Sequence, residues 1–530
     1  MNLSLAKQIA QMVVVRASGC LFDHQIRYPA WEPPAAQLRS WLEDLGVGGV
    51  IFVDGSATEL AVRIQHLQSW AKVPLLLAAD IEEGVGQRFA GATWFPPPMA
   101  IAQLAQQSLE TATQSAQQMG TNTAQEAIAI GLNWILAPVV DVNNNPDNPV
   151  INVRAFGEDP EIVSHLTAAF IHGCQQYPVL TTAKHFPGHG DTATDSHLSL
   201  PVIPHSEERL QTVELPPFKT AIAAGVDGVM SAHLQIMAWD AERPATLSPE
   251  ILTQLLRRNL GFEGLIVTDA LVMGAIANQY DPDVAAVLAV EAGADILLMP
   301  QDPEVTIRAV YDAVVTGRIP AERIQASVER IITAKSKVNP GWNLDGPNPH
   351  ATHSASSIFD LTQTLAQPKA QKLTLQILTG SMRSGGSVPI SAKDPATTEG
   401  RNLIIVDDCL NCRFLDQQTS AIAIPQQNGY KLQLLDSRCQ VAMIPDNQPT
   451  ILQIFIRGNP FRGSAGLTQV ATTCFKNLLK NTQLKALVIY GSVYTLEKFF
   501  PTLPPGLPYV FTYGQIPEAQ TIAMKVLFES

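Results

Sequence analysis

A fourteen-residue stretch, KHFPGHGDTATDSH at positions 184–197, concentrates side chains that transfer protons. It holds three His, two Asp and one Lys, and its proline and glycines favour a loop of special backbone geometry. Asp195 and His197 stand two positions apart, so they lie on one side of an extended segment. A carboxylate bonded to one imidazole nitrogen fixes the tautomer and raises the basicity of the other nitrogen. This pair is therefore a candidate general acid/base.

Asp269 is a second candidate, because it ends the apolar run GLIVT at positions 264–268. Two roles fit its position equally well: the N-cap of a helix over residues 270–277, or a nucleophilic carboxylate in a pocket. Retaining glycosidases require a nucleophilic carboxylate opposite a proton donor. The loop at 184–197 supplies such a donor, which favours the nucleophile.

Short apolar runs that alternate with helix-length segments must position these groups. Eight runs are candidate strands, at 12–16, 49–53, 74–79, 134–138, 179–184, 228–232, 264–268 and 295–299. The segments between them include predicted helices at 108–130, 161–175, 206–224 and 248–260, the last opened by Ser248 as cap and Pro249 in the first turn. Eight strand and helix units over about 335 residues predict an α/β fold with an N-terminal (β/α)8 TIM barrel.

In such a barrel the active site forms from the loops at the carboxyl ends of the strands. Charged groups at several strand ends would be costly if they only filled a core, so a polar pocket explains them better. Six side chains follow or end the apolar runs: Asp80, Asp141, Lys184, His185, His233 and Asp269.

The pattern changes after residue 334. The stretch VNPGWNLDGPNPHATHSASS is rich in proline, glycine and small polar residues and is typical of a linker. We therefore predict a catalytic barrel at 1–337, a linker at 338–357 and a smaller open α/β domain, an αβα layer unit, at 358–530. Four apolar runs, at 403–406, 451–456, 486–490 and 509–512, with a helix near 467–479, support the second domain.

Composition excludes several classes of function. Net charge is −13 and no basic run is present, which argues against nucleic acid as a partner. No segment offers the roughly 18 consecutive apolar residues of a membrane span, and the N-terminus lacks a secretory apolar region, so we expect a cytoplasmic protein. Six dispersed cysteines agree with a reducing compartment, and we interpret Cys409 and Cys412 as unpaired structural thiols.

Together these motifs resemble glycoside hydrolase family 3, in particular its bacterial β-N-acetylglucosaminidase branch. The stretch KHFPGHGDTATDSH resembles the segment carrying the branch's Asp and His acid/base dyad, here Asp195 and His197. The stretch GFEGLIVTDALVMGAI resembles the segment carrying the nucleophile, here Asp269. The resemblance further implies that Asp80, Arg154, Lys184 and His185 bind sugar hydroxyls.

One stretch departs from the family pattern. The usual DQEGGRVQR is DIEEGVGQR at positions 80–88, so Val85 stands where the family has an arginine. The resemblance implies that this position lies at the rim of the sugar pocket, where it would bear on substrate preference.

The expected activity is that of a retaining, exo-acting β-N-acetylglucosaminidase with a small carbohydrate as its partner and no metal or other cofactor. A role in recycling peptidoglycan fragments is implied by the resemblance alone. A β-glucosidase and a phosphorylase are alternatives on the same fold. A metal-dependent hydrolase, with His185, His189, Asp191 and His197 as ligands, is an alternative of another class, as is a sugar-binding protein without catalysis. Oligomeric state stays open.

Overall fold

The N-terminal part of the chain forms a nearly closed barrel of parallel strands. The computed structural model describes residues 3–344, 346–349, 358–390, 400–439, 448–458 and 468–529. The barrel strands, in spatial order, are β1 (Val13–Ser18), β2 (Gly49–Val53), β3 (Leu76–Ala79), β4 (Trp134–Ile135), β5 (Leu180–Phe186), β7 (Gly228–Ser231), β9 (Leu265–Val267) and β10 (Leu297–Leu298). β10 pairs with β1, and a bridge between Val267 and Ile296 joins β10 to β9. The predicted TIM barrel is therefore confirmed.

The eight predicted runs all fall on these strands, with shifted ends. The strands predicted at 134–138 and 295–299 are the most shortened, each to two residues. In the first of them, Pro138 has no N–H to donate to a neighbouring strand. A small parallel sheet of β6 (Val202–Ile203) and β8 (Gln235–Ile236) lies outside the barrel.

Helices surround the barrel. They are α1 (Leu5–Gln11), α2 (Ala35–Ser40), α3 (Ala57–Trp70), α4 (Met99–Ala105), α5 (Leu109–Ala129), α6 (Pro160–Cys174), α7 (Glu207–Thr212), α8 (Leu215–Ala223), Glu250–Asn259, α9 (Gly274–Ala277), α10 (Pro282–Ala292), α11 (Pro303–Val315) and α12 (Ala321–Val338). The single helix predicted at 206–224 is wrong, since α7 ends before α8 begins. Pro216 stands in the first turn of α8, where a missing N–H costs nothing.

The C-terminal part contains a separate six-stranded sheet. Its strands, in spatial order, are β11 (Arg383–Gly385), β16 (Tyr509–Thr512), β15 (Leu484–Gly491), β14 (Thr450–Ile456), β12 (Gly400–Ile405) and β13 (Tyr430–Leu435). All pairs are parallel except β11 with β16. The helices are α13 (Ile358–Thr364), α14 (Pro368–Ser381), α15 (Ser420–Gln427), α16 (Gln469–Lys480), α17 (Val493–Phe499) and α18 (Pro517–Phe528). The α/β character of this part is as predicted; of the predicted linker, the structure describes residues 338–344 and 346–349, and the rest lies outside the described residues.

The C-terminal part contacts the loops that follow β2, β3 and β4. Arg413 pairs with Asp54 beyond β2, at 3.0 Å. Arg457, at the end of β14, pairs with the buried Glu83 beyond β3. The hydroxyl of Tyr494 accepts a hydrogen bond from Asn143 Nδ2 at 2.8 Å and donates one to Glu158. These contacts lie along one side of the carboxyl-end face of the barrel.

Two further observations concern the chain as a whole. No helix within the described ranges combines the length and apolar character needed to cross a bilayer. All six cysteines are free thiols, and the Cys409 thiol lies 3.0 Å from an Asp436 carboxylate oxygen.

Candidate active site

The candidate residues converge on the carboxyl-end face of the barrel. Asp80 directly follows β3, and Lys184 and His185 lie within β5. Asp269 is separated from the end of β9 by Thr268. The acid/base pair lies on the long loop after β5. The face that barrel enzymes use for catalysis therefore carries the candidate groups.

An ionic network through Glu82 links three of the four residues expected to bind sugar hydroxyls, Asp80, Arg154 and Lys184. Lys184 Nζ lies 2.7 Å from Asp80 Oδ1 and 2.6 Å from Glu82 Oε1. Arg154 donates to both oxygens of Glu82, at 2.7 and 2.8 Å. This bidentate pair fixes the guanidinium plane, and Lys184 is held between two carboxylates.

Electrostatics keep this network charged. Burial alone would raise the pKa of Glu82, but Arg154 and Lys184 outweigh it and hold that pKa well below its ordinary value. Burial would likewise lower the pKa of Lys184, yet Asp80 and Glu82 raise it. Charged groups that stay fixed in a dry pocket provide directional hydrogen-bonding partners for hydroxyls.

Asp141 organises the start of the loop after β5. Its carboxylate accepts hydrogen bonds from the backbone N–H of His185 and of His189, and it lies 2.8 Å from His185 Nδ1. Burial would raise the pKa of Asp141, but the two histidines lower it. Because Nδ1 of His185 is engaged, its Nε2 is the nitrogen left for a ligand.

The acid/base pair has the expected local geometry. His197 Nδ1 and the His197 backbone N–H both lie 2.9 Å from Asp195 Oδ1. Asp195 is buried, whereas the His197 side chain keeps 19% of its exposure. The carboxylate thus orients the ring, and Nε2 can exchange a proton with a ligand or with water.

Asp269 lies just beyond β9 and is partly buried, and its Oδ1 accepts a hydrogen bond from the Ala270 N–H at 2.7 Å. The alternative role as a helix cap is wrong, since α9 begins only after Met273. Burial would raise the pKa of Asp269, but the charges of His233, His185 and His197 lower it. The carboxylate is therefore held ionised, as a nucleophile requires.

Two backbone hydrogen bonds tie the acid/base loop to the segment after Asp269. The Gly274 N–H donates to the His197 carbonyl at 3.1 Å, and the Ala275 N–H donates to the Ser196 carbonyl at 3.2 Å. The candidate donor and the candidate nucleophile therefore belong to one hydrogen-bonded unit.

The four residues considered as metal ligands each bond to different protein groups, His185 to Asp141 and His197 to Asp195. His189 bonds to Ser196 and Thr192, at 2.9 and 3.0 Å, and Asp191 pairs with His205 and Arg209. Among the residues that the structure describes, no group of three or more His, Cys, Asp or Glu side chains could hold a metal ion. The geometry therefore does not favour the metal-dependent alternative.

Sequence reasoning missed two acidic residues of the stretch at 80–88. Glu82 joins Arg154 to Lys184, and Glu83 receives Arg457 from the C-terminal part together with Trp94 Nε1, at 2.9 Å. The only sequence signal was their proximity to Asp80. Val85, the departure from the family pattern, is fully buried.

Comparison with known proteins identifies the family of this chain. The description "Glycosyl hydrolase family 3 N terminal domain" matches residues 4–334, and "Bacterial Glycosyl hydrolase family 3 C-terminal domain" matches residues 393–529. "Beta-hexosaminidase A" of Pseudoalteromonas piscicida is 35% identical over 489 residues, which cover 85% of this chain and 77% of that protein. "Beta-N-acetylglucosaminidase/beta-glucosidase" of Cellulomonas fimi is 31% identical over 368 residues, covering 65% of this chain and 64% of that protein.

A solved structure extends the likeness to the whole chain. The glycoside hydrolase family 3 β-N-acetylglucosaminidase from Paenibacillus sp. str. FPU-7 superposes with a TM-score of 0.80 at 29% identity. The match covers 99% of this chain and 97% of that one. The family predicted from the two motifs is confirmed: the chain belongs to glycosyl hydrolase family 3 and is a glycoside hydrolase.

Proposed function

We propose that this enzyme removes terminal β-linked N-acetylglucosamine with retention of configuration, using Asp269 as nucleophile and His197, oriented by Asp195, as acid/base. The observation that carries the proposal is the hydrogen-bonded unit that joins the Asp195 and His197 loop to the Asp269 segment. The names of the similar proteins support the choice of sugar.

The reaction has two steps. In the first, the Asp269 carboxylate attacks the anomeric carbon while His197 Nε2 gives its proton to the leaving oxygen, which breaks the glycosidic bond. In the second, His197 takes a proton from water, and the resulting hydroxide equivalent displaces Asp269 from the sugar. Two inversions give net retention, and both catalytic groups return to their starting states.

Asp80, Arg154, Lys184 and His185 would hold the hydroxyls of the terminal sugar. The charges of Asp80, Lys184 and Arg154 are held by ion pairs that run through Glu82, so hydrogen bonds to the sugar strengthen as the ring flattens towards an oxocarbenium-like transition state. The mechanism fits both a peptidoglycan fragment and a neutral oligosaccharide as the leaving group.

Phosphorolysis and glucoside cleavage are the competing activities. A histidine acid/base becomes neutral after it gives up its proton, so a phosphate anion can approach the intermediate without the repulsion of a carboxylate. For the glucoside, the motivation is buried Val85, which stands in the stretch that carries Asp80 at the position where the family pattern has an arginine. Either activity would use the same nucleophile.

The test compares aryl β-N-acetylglucosaminide with aryl β-glucoside, for the wild type and Asp269→Ala, each with and without phosphate. We expect preference for the acetamido sugar, no effect of phosphate, and a loss of roughly a thousandfold or more in kcat/KM for Asp269→Ala. Asp283→Ala, an exposed carboxylate on α10, is the matched control and should retain full activity.

Each other outcome overturns a specific statement. Stimulation by phosphate would replace hydrolysis with phosphorolysis, and preference for the glucoside would change the substrate. Full activity in Asp269→Ala would remove the proposed nucleophile.

A further inference from the structure

The loop after β1 carries an exposed pair of aromatic side chains. Tyr28 and Trp31 are 43% and 39% exposed, and their rings lie 6.2 Å apart at an angle of 23°. The loop extends from the carboxyl end of β1, so the pair lies on the face of the barrel that carries Asp269. Large aromatic surface left in water at such a place needs an explanation.

A buried ion pair holds these two rings in place. The Arg16 guanidinium lies 4.9 Å from the Tyr28 ring centre and 5.5 Å from that of Trp31. The same guanidinium donates to Glu32 at 2.7 and 3.0 Å, and Glu32 is only 2% exposed. Burying a carboxylate is costly, so this support indicates a surface organised before any ligand arrives.

A cavity of about 230 Å³ opens beside Trp31. It lies near the carboxyl ends of three neighbouring strands, because its lining includes Arg16 of β1, Met299, which follows β10, and Val272, which lies beyond β9. Val272 is three residues from Asp269, which is at most about 10 Å of chain. The Leu271 N–H donates to the Leu298 carbonyl at 3.0 Å, so the nucleophile's segment forms one wall of the cavity.

Backbone strain marks the same wall. Met299 has a φ of 46°, an uncommon conformation for a side-chain-bearing residue. Such strain persists only where the surroundings enforce it, and it concentrates at binding and catalytic sites.

The lining matches the chemistry of a sugar ring. A pyranose offers a flat C–H face that packs on an aromatic ring, and a rim of hydroxyls that bonds to polar groups. Trp31 supplies the ring, and Gln37, Gln301 and Glu304 supply polar groups. The volume is below the roughly 300–1,000 Å³ of pockets for drug-sized ligands, which suits one sugar ring.

The charges of the cavity disfavour an anion. Glu32 already neutralises Arg16, whereas Asp302 and Glu304 also line the cavity and the chain carries net charge −13. A sugar with its own carboxylate, such as the muramic acid of peptidoglycan, would meet like charge here.

We propose that this aromatic cleft, defined by Arg16, Trp31, Val272, Met299 and Glu304, binds the leaving-group sugar, and that this sugar is a neutral hexosamine unit. The inference rests on the proposed hydrolysis of β-N-acetylglucosaminides. It names the natural substrate class as neutral β-linked N-acetylglucosamine oligosaccharides.

The test is Trp31→Ala, assayed on two substrates with the same terminal sugar. N,N′-diacetylchitobiose has a neutral sugar as its leaving group, and β-N-acetylglucosaminyl azide has a leaving group too small to reach the cleft. We expect kcat/KM to fall about tenfold or more for the disaccharide and to change less than about twofold for the azide, since one stacking contact contributes this much. Trp31→Phe, which keeps an aromatic face, should recover most of the loss.

Phe22→Ala is the matched control, because Phe22 is 57% exposed on the same loop but does not line the cleft. It should leave both substrates unchanged. Equal losses on both substrates in Trp31→Ala, or no loss on the disaccharide, would overturn the cleft. Better cleavage by the wild type of a muramic-acid disaccharide than of the neutral one would overturn the assigned sugar. Failure of the wild type on every β-N-acetylglucosaminide would instead overturn the proposed function, and this inference with it.

Discussion

His189 is a buried histidine that the proposed mechanism does not use. Burial lowers its pKa to about 4, and both ring nitrogens bond to hydroxyls, those of Ser196 and Thr192. The residue therefore braces the acid/base loop as a neutral ring. Keeping this ring neutral lowers the stability of the folded protein only when the pH falls.

We expect the enzyme to lose stability between pH 7 and 5 because of His189. The unfolded chain takes up this proton near pH 6.5, whereas the folded chain takes it up only near 4. The unfolded state thus binds more protons in this window, so stability falls with the pH, by about 2 kcal/mol at pH 5. Thermal unfolding of His189→Gln should show a shallower pH dependence, while His66→Gln, an exposed control, should follow the wild type. Identical slopes for all three proteins would contradict this account.

Single residues differed in how far sequence reasoning could place them. Asp80, Lys184 and Asp269 stand at the ends of apolar runs, so their common face followed from barrel geometry. Glu82 was missed, because its role depends on Arg154 and Lys184, which are 72 and 102 positions away along the chain. Such pairings need the folded arrangement of three strands and leave no local pattern.

The loop between β5 and β6 bonds to one buried amide, that of Asn148. Asn148 Nδ2 donates to the carbonyls of His189 and Gly190 at 2.8 and 2.9 Å, and its Oδ1 accepts from the N–H groups of Val150 and Ile151. The segment after β4 thereby fixes the loop that carries Asp195 and His197.

We expect Asn148→Asp to disable this loop without a large change in side-chain volume. A carboxylate oxygen would face two carbonyl oxygens, and the buried acceptors would lose their donor at a cost of about 1–3 kcal/mol. The measured effect should be a fall of tenfold or more in kcat, with a smaller change in KM, on an aryl β-N-acetylglucosaminide. Asn145→Asp, in the same segment, is the control; equal activity of the two variants would refute the role of Asn148.

Elements with both faces buried were predicted best. The barrel strands read as apolar runs, since a parallel sheet inside a barrel touches no water. β13 was missed because it is an edge strand whose polar residues alternate with apolar ones, as in Tyr430–Leu435. The aromatic cleft also had no sequence signal, because its walls come from the ends of β1, β9 and β10.

The two halves of the molecule are joined by a buried ion pair between Arg457 and Glu83. Both oxygens of Glu83 receive the guanidinium, and the neighbouring Glu82 holds Arg154 and Lys184. The C-terminal sheet thus supports the stretch that carries Asp80 through adjacent carboxylates.

We expect Arg457→Met to destabilise the protein by about 3–5 kcal/mol, since it leaves a buried charge without a partner. Replacing Glu83 as well, in Arg457→Met with Glu83→Leu, should recover much of the loss. Lys498→Met breaks an exposed pair with Asp147 between the same two parts, and it should cost less than about 1 kcal/mol. Denaturant unfolding of the four proteins measures these differences; equal effects of the two single variants would contradict the assignment.

The C-terminal part occupies the rim beyond β2, β3 and β4, on the side of Asp80 and Arg154. A glycan that continued past the terminal sugar would meet protein there. On the proposed function, the enzyme therefore competes for chain ends and ignores interior bonds. In a mixture with enzymes that cut chains internally, the supply of new ends, and not the mass of polymer, would set the rate at which free sugar appears.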